Sequence, residues 1–85
     1  MKQFDYVIKD ELGIHARPAG LLAKEAGKYH AVIQIKKGDK SAEAKRLFGI
    51  MGLGVKNGDL VSVLVEGEEE DAALEAMKHF FETNL

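Results

Sequence analysis

Apolar side chains alternate with polar ones along several short segments, a pattern that indicates strands with one buried face. The alternating positions are Phe4, Tyr6 and Ile8 near the N-terminus and Val61, Val63 and Val65 within 60–66. Residues 31–35 and 41–45 predict two further strands, which a hairpin turn at 37–40 joins. The sequence therefore predicts four strands.

Apolar residues at helical spacing predict three helices. They are Leu21, Leu22 and Ala26 in the first helix, Leu47, Phe48, Ile50 and Met51 in the second, and Leu74, Met77 and Phe81 in the third. We expect the first helix to end at Gly27 and the second at Gly52. The carboxylates at 68–71 suit the positive end of the third helix dipole. The order β-α-β-β-α-β-α indicates an α+β fold, with an antiparallel sheet and three helices on one face.

Composition restricts the function classes. A chain of 85 residues has room for one domain, 1–85, and one surface site. A net charge of -2 gives no general reason to bind nucleic acid or an anionic membrane. The absence of cysteine excludes disulfides and thiol chemistry, and no apolar run suggests a signal peptide or membrane insertion. We therefore expect a cytoplasmic protein.

The segment GIHARPAG, residues 13–20, carries the strongest chemical signal. Pro18 fits the first turn of a helix, so His15 is expected at the helix N-terminus. That end attracts anions, and the Arg17 guanidinium suits phosphate oxygens. His15 can act as a nucleophile at neutral pH, which makes a phosphoryl acceptor chemically feasible. From spacing alone, an ordinary polar capping residue remains the more common alternative.

Two other motifs are weaker. His30 and His79 are expected at the solvated surface, and no histidine pair has a metal-ligand spacing, so we predict no metal. Residues 49–52 spell the GXXG of RNA-clamping loops, although the acidic chain lacks the basic surface of that class. A tight helix end is the preferred interpretation. We expect at least two of the three large apolar residues Leu47, Phe48 and Met51 to be partly exposed.

The motif at 13–20, together with Leu21-Leu22, the segments 38–45 and 47–48, and the GLGV at 52–55, resembles the HPr family. These proteins are the histidine-containing phosphocarriers of the bacterial phosphoenolpyruvate:sugar phosphotransferase system. The resemblance runs through essentially the whole chain. It implies an HPr-like open-faced β-sandwich and a phosphoryl carrier, rather than an enzyme that turns over a small substrate. No cofactor is implied, and a monomer is expected.

The resemblance also implies roles for individual residues. His15 would accept the phosphoryl group on Nδ1 from phosphorylated Enzyme I and pass it to a histidine of a sugar-specific IIA component. Arg17 would stabilise the phosphate. Transcriptional regulators and kinases are further partners that the family leaves open. Partner docking would use an apolar and basic surface formed by Ala16, Gly20, Lys24, Lys45, Arg46, Leu47, Phe48 and Met51.

One departure from the family bears on regulation. Many relatives carry, after the Lys45-type lysine, a serine that a dedicated kinase phosphorylates, and this chain has Arg46 there. Arginine cannot accept that modification, so serine-linked regulation is not expected. Gly20 is a smaller departure, because alanine is usual at this position.

Other functions stay open at this point. One is a regulatory binding protein of the HPr type, and another is a paralogous carrier of a nitrogen-related or dihydroxyacetone-kinase phosphorelay. His15 and Arg17 together favour the sugar phosphocarrier, because a pure binding protein needs no nucleophile.

Overall fold

The computed structural model describes residues 1–85 and contains every element that the sequence predicts, in the predicted order. The strands are β1 Lys2–Val7, β2 Val32–Lys37, β3 Lys40–Glu43 and β4 Leu60–Glu66. The helices are α1 Ala16–Ala26, α2 Leu47–Gly52 and α3 Glu70–Asn84.

Some predicted boundaries were wrong by one or two residues. The predicted hairpin turn at 37–40 is confirmed, since Lys37 pairs with Lys40 across a turn at which Gly38 has φ 61°. Strand β3 begins one residue and ends two residues earlier than predicted. Helix α3 begins at Glu70 rather than at 68, since Gly67 and Glu69 both have positive φ and cannot be part of the helix.

The four strands form one antiparallel sheet in the order β1-β4-β2-β3. Phe4 of β1 lies opposite Val63 of β4, and Ile35 of β2 lies opposite the same valine from the other side. This register places apolar side chains of neighbouring strands on the same face of the sheet. Strands β1 and β3 are the two edges.

One face of the sheet is buried under the helices, and the other is open. The buried face carries Ile33, Ile35, Val61, Val63 and Val65. The Phe81 ring of α3 packs edge-on against Phe4 and Tyr6, with centroid distances of 5.8 and 5.6 Å. On the open face, Val32 and Leu60 remain exposed. The architecture is the predicted α+β open-faced sandwich, and its order βαββαβα is confirmed.

Membrane insertion was not expected from the sequence. None of the three helices combines the length and the apolar character that crossing a bilayer requires.

Candidate functional site

His15 is the N-cap residue of α1, immediately before the first helical residue Ala16. Its backbone is extended, with φ -99° and ψ -173°, and its carbonyl accepts the first helical hydrogen bond from the Ala19 N–H at 3.0 Å. Its side chain makes no capping hydrogen bond and is partly exposed. Capping residues usually direct a side-chain oxygen to the first N–H groups of the helix, a role that imidazole does not perform here. The ring therefore has no structural bond within α1.

The N-terminus of α1 keeps two free backbone donors. The N–H groups of Ala16 and Arg17 have no acceptor within the chain, and Pro18 has no N–H to satisfy. No acidic side chain lies in the first turn, and Arg17 is exposed and forms no ion pair. Free N–H groups, a helix dipole and an unpaired guanidinium all favour an external anion. The local chemistry is that of a phosphate site.

A shallow pocket of about 250 Å³ lies beside this helix end. It is lined by Asp10, His15, Arg17, Pro18, Leu21, Thr83 and Asn84. The structure thus brings the two predicted residues His15 and Arg17 together. It also adds Thr83 and Asn84, which sequence reasoning missed, because residues almost seventy positions away from the motif give no local signal.

Leu21 and Leu22 of α1 lie in different environments. Leu22 is fully buried, whereas Leu21 is 45% exposed and lines the pocket. Successive residues on a helix point about 100° apart, so both cannot face the core equally. Leu21 therefore gives the pocket an apolar wall.

The segment before His15 is held by backbone contacts. The Ile14 N–H donates to the Val55 carbonyl at 3.1 Å, and the Leu12 N–H donates to Oδ1 of Asp10 at 2.8 Å. Gly13 has φ 67°, and a Cβ at this residue would lie 2.3 Å from the Val55 carbonyl oxygen. Only glycine permits both this conformation and this close approach. Main-chain contacts of the segment before His15 therefore position the site.

A band of small and basic residues runs along α1. Ala16, Gly20 and Lys24 are four residues apart, so they lie on one side of the helix. Ala16 and Lys24 are exposed, and the space beside Gly20 is empty to 4 Å. This side of α1 presents no bulky group beside His15.

Helix α2 packs next to α1 and supplies the large apolar side chains. Phe48 is 83% exposed and Met51 is 38% exposed, whereas Leu47 is partly buried against the core. The expectation that at least two of these residues are partly exposed is confirmed. We call the surface formed by Ala16, Gly20, Leu47, Phe48 and Met51 the apolar patch.

Two of the basic residues predicted at the docking surface, Lys45 and Arg46, have intramolecular partners. Nζ of Lys45 donates to the Tyr29 carbonyl at 2.8 Å, beyond the C-terminal end of α1. Nε of Arg46 donates to Oε2 of Glu43 at 2.9 Å, and its side chain stays 78% exposed. Because α1 is about 16 Å long, Lys45 lies far from the helix end that carries His15. Arg17 is thus the cation beside the histidine.

The weaker motifs of the sequence have ordinary structural positions. Residues 49–52 are part of the helix α2, so they do not form the loop that an RNA clamp needs. His30 and His79 are exposed, as predicted.

Comparisons with known proteins agree with the geometry. Residues 2–83 match the family model described as PTS HPr component phosphorylation site. The chain is 42% identical to phosphocarrier protein HPr of Lysinibacillus sphaericus over 77 residues, which cover 91% of this chain and 88% of that protein.

Two solved structures extend the comparison. The HPr structure from Thermoanaerobacter tengcongensis has a TM-score of 0.92 at 38% identity, covering 98% of this chain and 93% of that chain. The Bacillus subtilis protein Crh, described as a swapped dimer, has a TM-score of 0.78 at 30% identity, covering 100% and 98%. On the family match and these identities, the chain belongs to the HPr family of phosphocarrier proteins of the phosphotransferase system.

Proposed function

We propose that His15 accepts a phosphoryl group on Nδ1 from phosphorylated Enzyme I and transfers it to a histidine of a sugar-specific IIA component. One observation carries this assignment. The His15 ring stands at an uncapped helix N-terminus, beside two free N–H groups and the unpaired Arg17. A histidine that served only to cap the helix would not need free N–H donors and an unpaired guanidinium next to it.

The transfer requires no metal or cofactor in the carrier. The lone pair of Nδ1 attacks the phosphorus atom, a new N–P bond forms, and the bond from phosphorus to the donor histidine breaks. The donor nitrogen keeps the electron pair of that bond. Arg17 and the N–H groups of α1 balance the charge on the three phosphoryl oxygens during this exchange. When phosphohistidine donates to the next protein, the N–P bond at Nδ1 breaks and a new bond forms between phosphorus and the acceptor histidine.

The site suits a carrier because it binds phosphate only moderately. Its cationic contact is a single exposed guanidinium, and the pocket is open to solvent. A deep site with several cations would hold the phosphoryl group too well to release it. The chain can thus accept phosphate and give it up again.

The apolar patch is the proposed docking surface for both partners. Phe48 and Met51 offer exposed apolar area close to α1, and Arg17, Lys24, Lys45 and Arg46 add positive charge around it. Local positive charge can steer acidic partners although the whole chain has a net charge of -2. With Arg46 at the regulatory position, serine phosphorylation there is chemically excluded.

A monomer is the expected working form, because one His15 and one α1 N-terminus complete the proposed site. Crh, to which the chain is similar, is described as a swapped dimer. Light scattering on the purified chain tests the expectation, and a dimer mass at micromolar concentration would contradict it.

The function is tested by intact-mass measurement after incubation with phosphoenolpyruvate and Enzyme I. The expected result is one acid-labile phosphoryl adduct on the native chain and on His30→Ala and His79→Ala. The variant His15→Ala should carry no adduct. The two control variants remove exposed histidines outside the site, so they separate His15 from histidine content in general.

An adduct that persists in His15→Ala would contradict the assignment. If the native chain stays unmodified with an Enzyme I that phosphorylates another carrier, the proposed phosphoryl transfer from that donor is wrong. A regulatory binding role would then explain the fold better.

A further inference from the structure

A charged cluster lies away from the pocket, where β2 ends. Nζ of Lys37 donates to the Gly54 carbonyl at 2.9 Å and lies 3.0 Å from Oδ2 of Asp59. These two partners are the first and last residues of the segment 54–59, which connects α2 to β4. One ammonium group therefore bridges both ends of this loop.

The Asp59 carboxylate also accepts a hydrogen bond from within the loop. Its Oδ2 accepts the Lys56 N–H at 2.8 Å, and the Asp59 N–H donates to the Lys56 carbonyl at 3.0 Å. The Lys56 N–H, and then the Lys37 ammonium, lower the pKa of Asp59. The carboxylate is accordingly ionised at neutral pH. Lys37, Asp59 and Lys56 hold the loop in one shape.

This loop in turn supports the segment that leads to His15. Val55 accepts the Ile14 N–H at 3.1 Å, and the Asn57 amide donates to the Lys9 carbonyl at 3.1 Å. The Gly58 N–H donates to the Ile8 carbonyl at 2.8 Å. Ile8, Lys9 and Ile14 are thus hydrogen-bonded to the segment 54–59, and the contact at Ile14 is one residue before His15.

We propose that Lys37 and Asp59 are positioning residues for phosphoryl transfer, acting on His15 through the loop 54–59 and Ile14. Neither residue lines the His15 pocket. The role rests on the proposed carrier function. Because the His15 side chain has no capping bond of its own, the placement of its ring depends on the backbone that precedes it.

The pair is better shielded from water than the other long-range side-chain ion pair. The side chains of Lys37 and Asp59 are 32% and 30% exposed, whereas those of Lys2 and Asp71 are 49% and 79% exposed. Partial shielding weakens screening by solvent and salt. The Lys2–Asp71 pair, at the start of α3, serves as a control, because removing it breaks a long-range ion pair without touching the loop.

The test uses Lys37→Met, which keeps the apolar stem and removes both contacts, together with Asp59→Ala and Lys37→Arg. We expect Lys37→Met and Asp59→Ala to lower the maximal rate of phosphoryl acceptance from Enzyme I about threefold to tenfold. The KM for Enzyme I should stay unchanged, since the apolar patch is intact. Lys37→Arg keeps a cation and N–H donors and should restore most of the rate.

Amide hydrogen exchange supplies a readout that does not depend on phosphorylation. In Lys37→Met, the Ile14 amide should exchange faster by about the same factor as the rate loss, while amides of β4 keep their protection. Asp71→Asn should leave both the rate and Ile14 exchange as in the native chain.

An unchanged rate and unchanged Ile14 exchange in Lys37→Met would overturn the proposal. Equal acceleration of the Ile14 and β4 amides would also overturn it, because that result indicates only a loss of global stability. If Enzyme I does not phosphorylate the native chain, the carrier function fails, and the exchange measurement alone decides whether Lys37 and Asp59 position Ile14.

Discussion

The N-termini of α1 and α3 both lack a capping side-chain hydrogen bond, but they differ in backbone conformation and in charge. Helix α1 begins after His15, whose backbone is extended, and has no acidic residue in its first turn. Helix α3 begins after Glu69, whose φ is 60°, and carries Glu70 and Asp71 in its first turn. Asp71 forms an ion pair with Lys2 of β1.

The difference separates a helix end that stabilises the fold from one that is available to a ligand. The dipole of α3 is offset by carboxylates of its own chain, whereas the dipole of α1 faces solvent beside His15 and Arg17. The N-terminus of α1 gives up the small stabilisation that a first-turn carboxylate would supply. A negative group from outside, a phosphoryl group above all, can then occupy that position.

The largest expected effect comes from a substitution at Gly13, which disturbs the contact with Val55 behind the N-terminus of α1. Gly13→Ala would place a Cβ 2.3 Å from the Val55 carbonyl oxygen in a residue with φ 67°. We expect the free energy of unfolding to fall by about 2–5 kcal/mol, from left-handed strain and overpacking together. Urea denaturation measures this change.

The control for this variant is Gly58→Ala. Gly58 has φ 86°, but no atom lies within 4 Å of the position that an alanine Cβ would occupy, so only the backbone strain applies. We expect a loss of about 1–2 kcal/mol. Equal losses for the two variants would show that the close approach to Val55 contributes nothing.

The next effect comes from filling the open end with a carboxylate. Ala16→Glu should stabilise the chain by about 0.3–1 kcal/mol through the helix dipole. It should also lower the rate of phosphoryl acceptance about tenfold or more, because a like charge near 4 Å costs on the order of 1–4 kcal/mol. Ala16→Gln, similar in size and uncharged, separates charge from bulk at the docking surface. If both variants lose the same rate, charge at this end is not what matters.

A smaller effect is expected at the other helix. Asp71→Asn removes a first-turn carboxylate of α3 and its ion pair with Lys2. The free energy of unfolding should fall by about 0.3–1 kcal/mol. Phosphoryl acceptance should not change, and a reduced rate would show that the two helix ends are coupled.

The smallest effect is a pH dependence at the same ion pair. A hydrogen bond and the negative charge of Asp71 raise the pKa of Lys2. A raised pKa means that the pair contributes fully below the unfolded value, about 10.4, and is lost as pH rises through the folded value. Thermal unfolding should therefore show a shallow stability loss above about pH 10 that is weaker in Asp71→Asn. Parallel curves for the two chains would contradict this.

Periodicity and motif spacing predicted most of the features that depend on residues close together in sequence. Alternation at 61–65 and at Phe4, Tyr6 and Ile8 identified strands, because a sheet with one buried face imposes that period on its sequence. His15 and Arg17 were identified because their chemistry is contained in one short segment. The boundaries near Lys40 and Glu70 were wrong, since positive φ at particular residues sets them.

Features that depend on contacts between residues distant in sequence could not be predicted. Thr83 and Asn84 join the pocket only because α3 ends beside the start of α1. The contacts of Lys37 with Gly54 and Asp59 likewise exist only after β2 and β4 have paired.

The strand order has a consequence for how the chain acquires its site during folding. Strand β1 has one neighbour in the sheet, β4, and the two are separated by more than fifty residues. Pairing at such long sequence separation requires the closure of a large loop and is a slow step. A growing chain that has emerged only as far as β3 has no partner for β1 and no Val55 to hold Ile14. The arrangement around His15 therefore forms as a late event, together with the completed sheet.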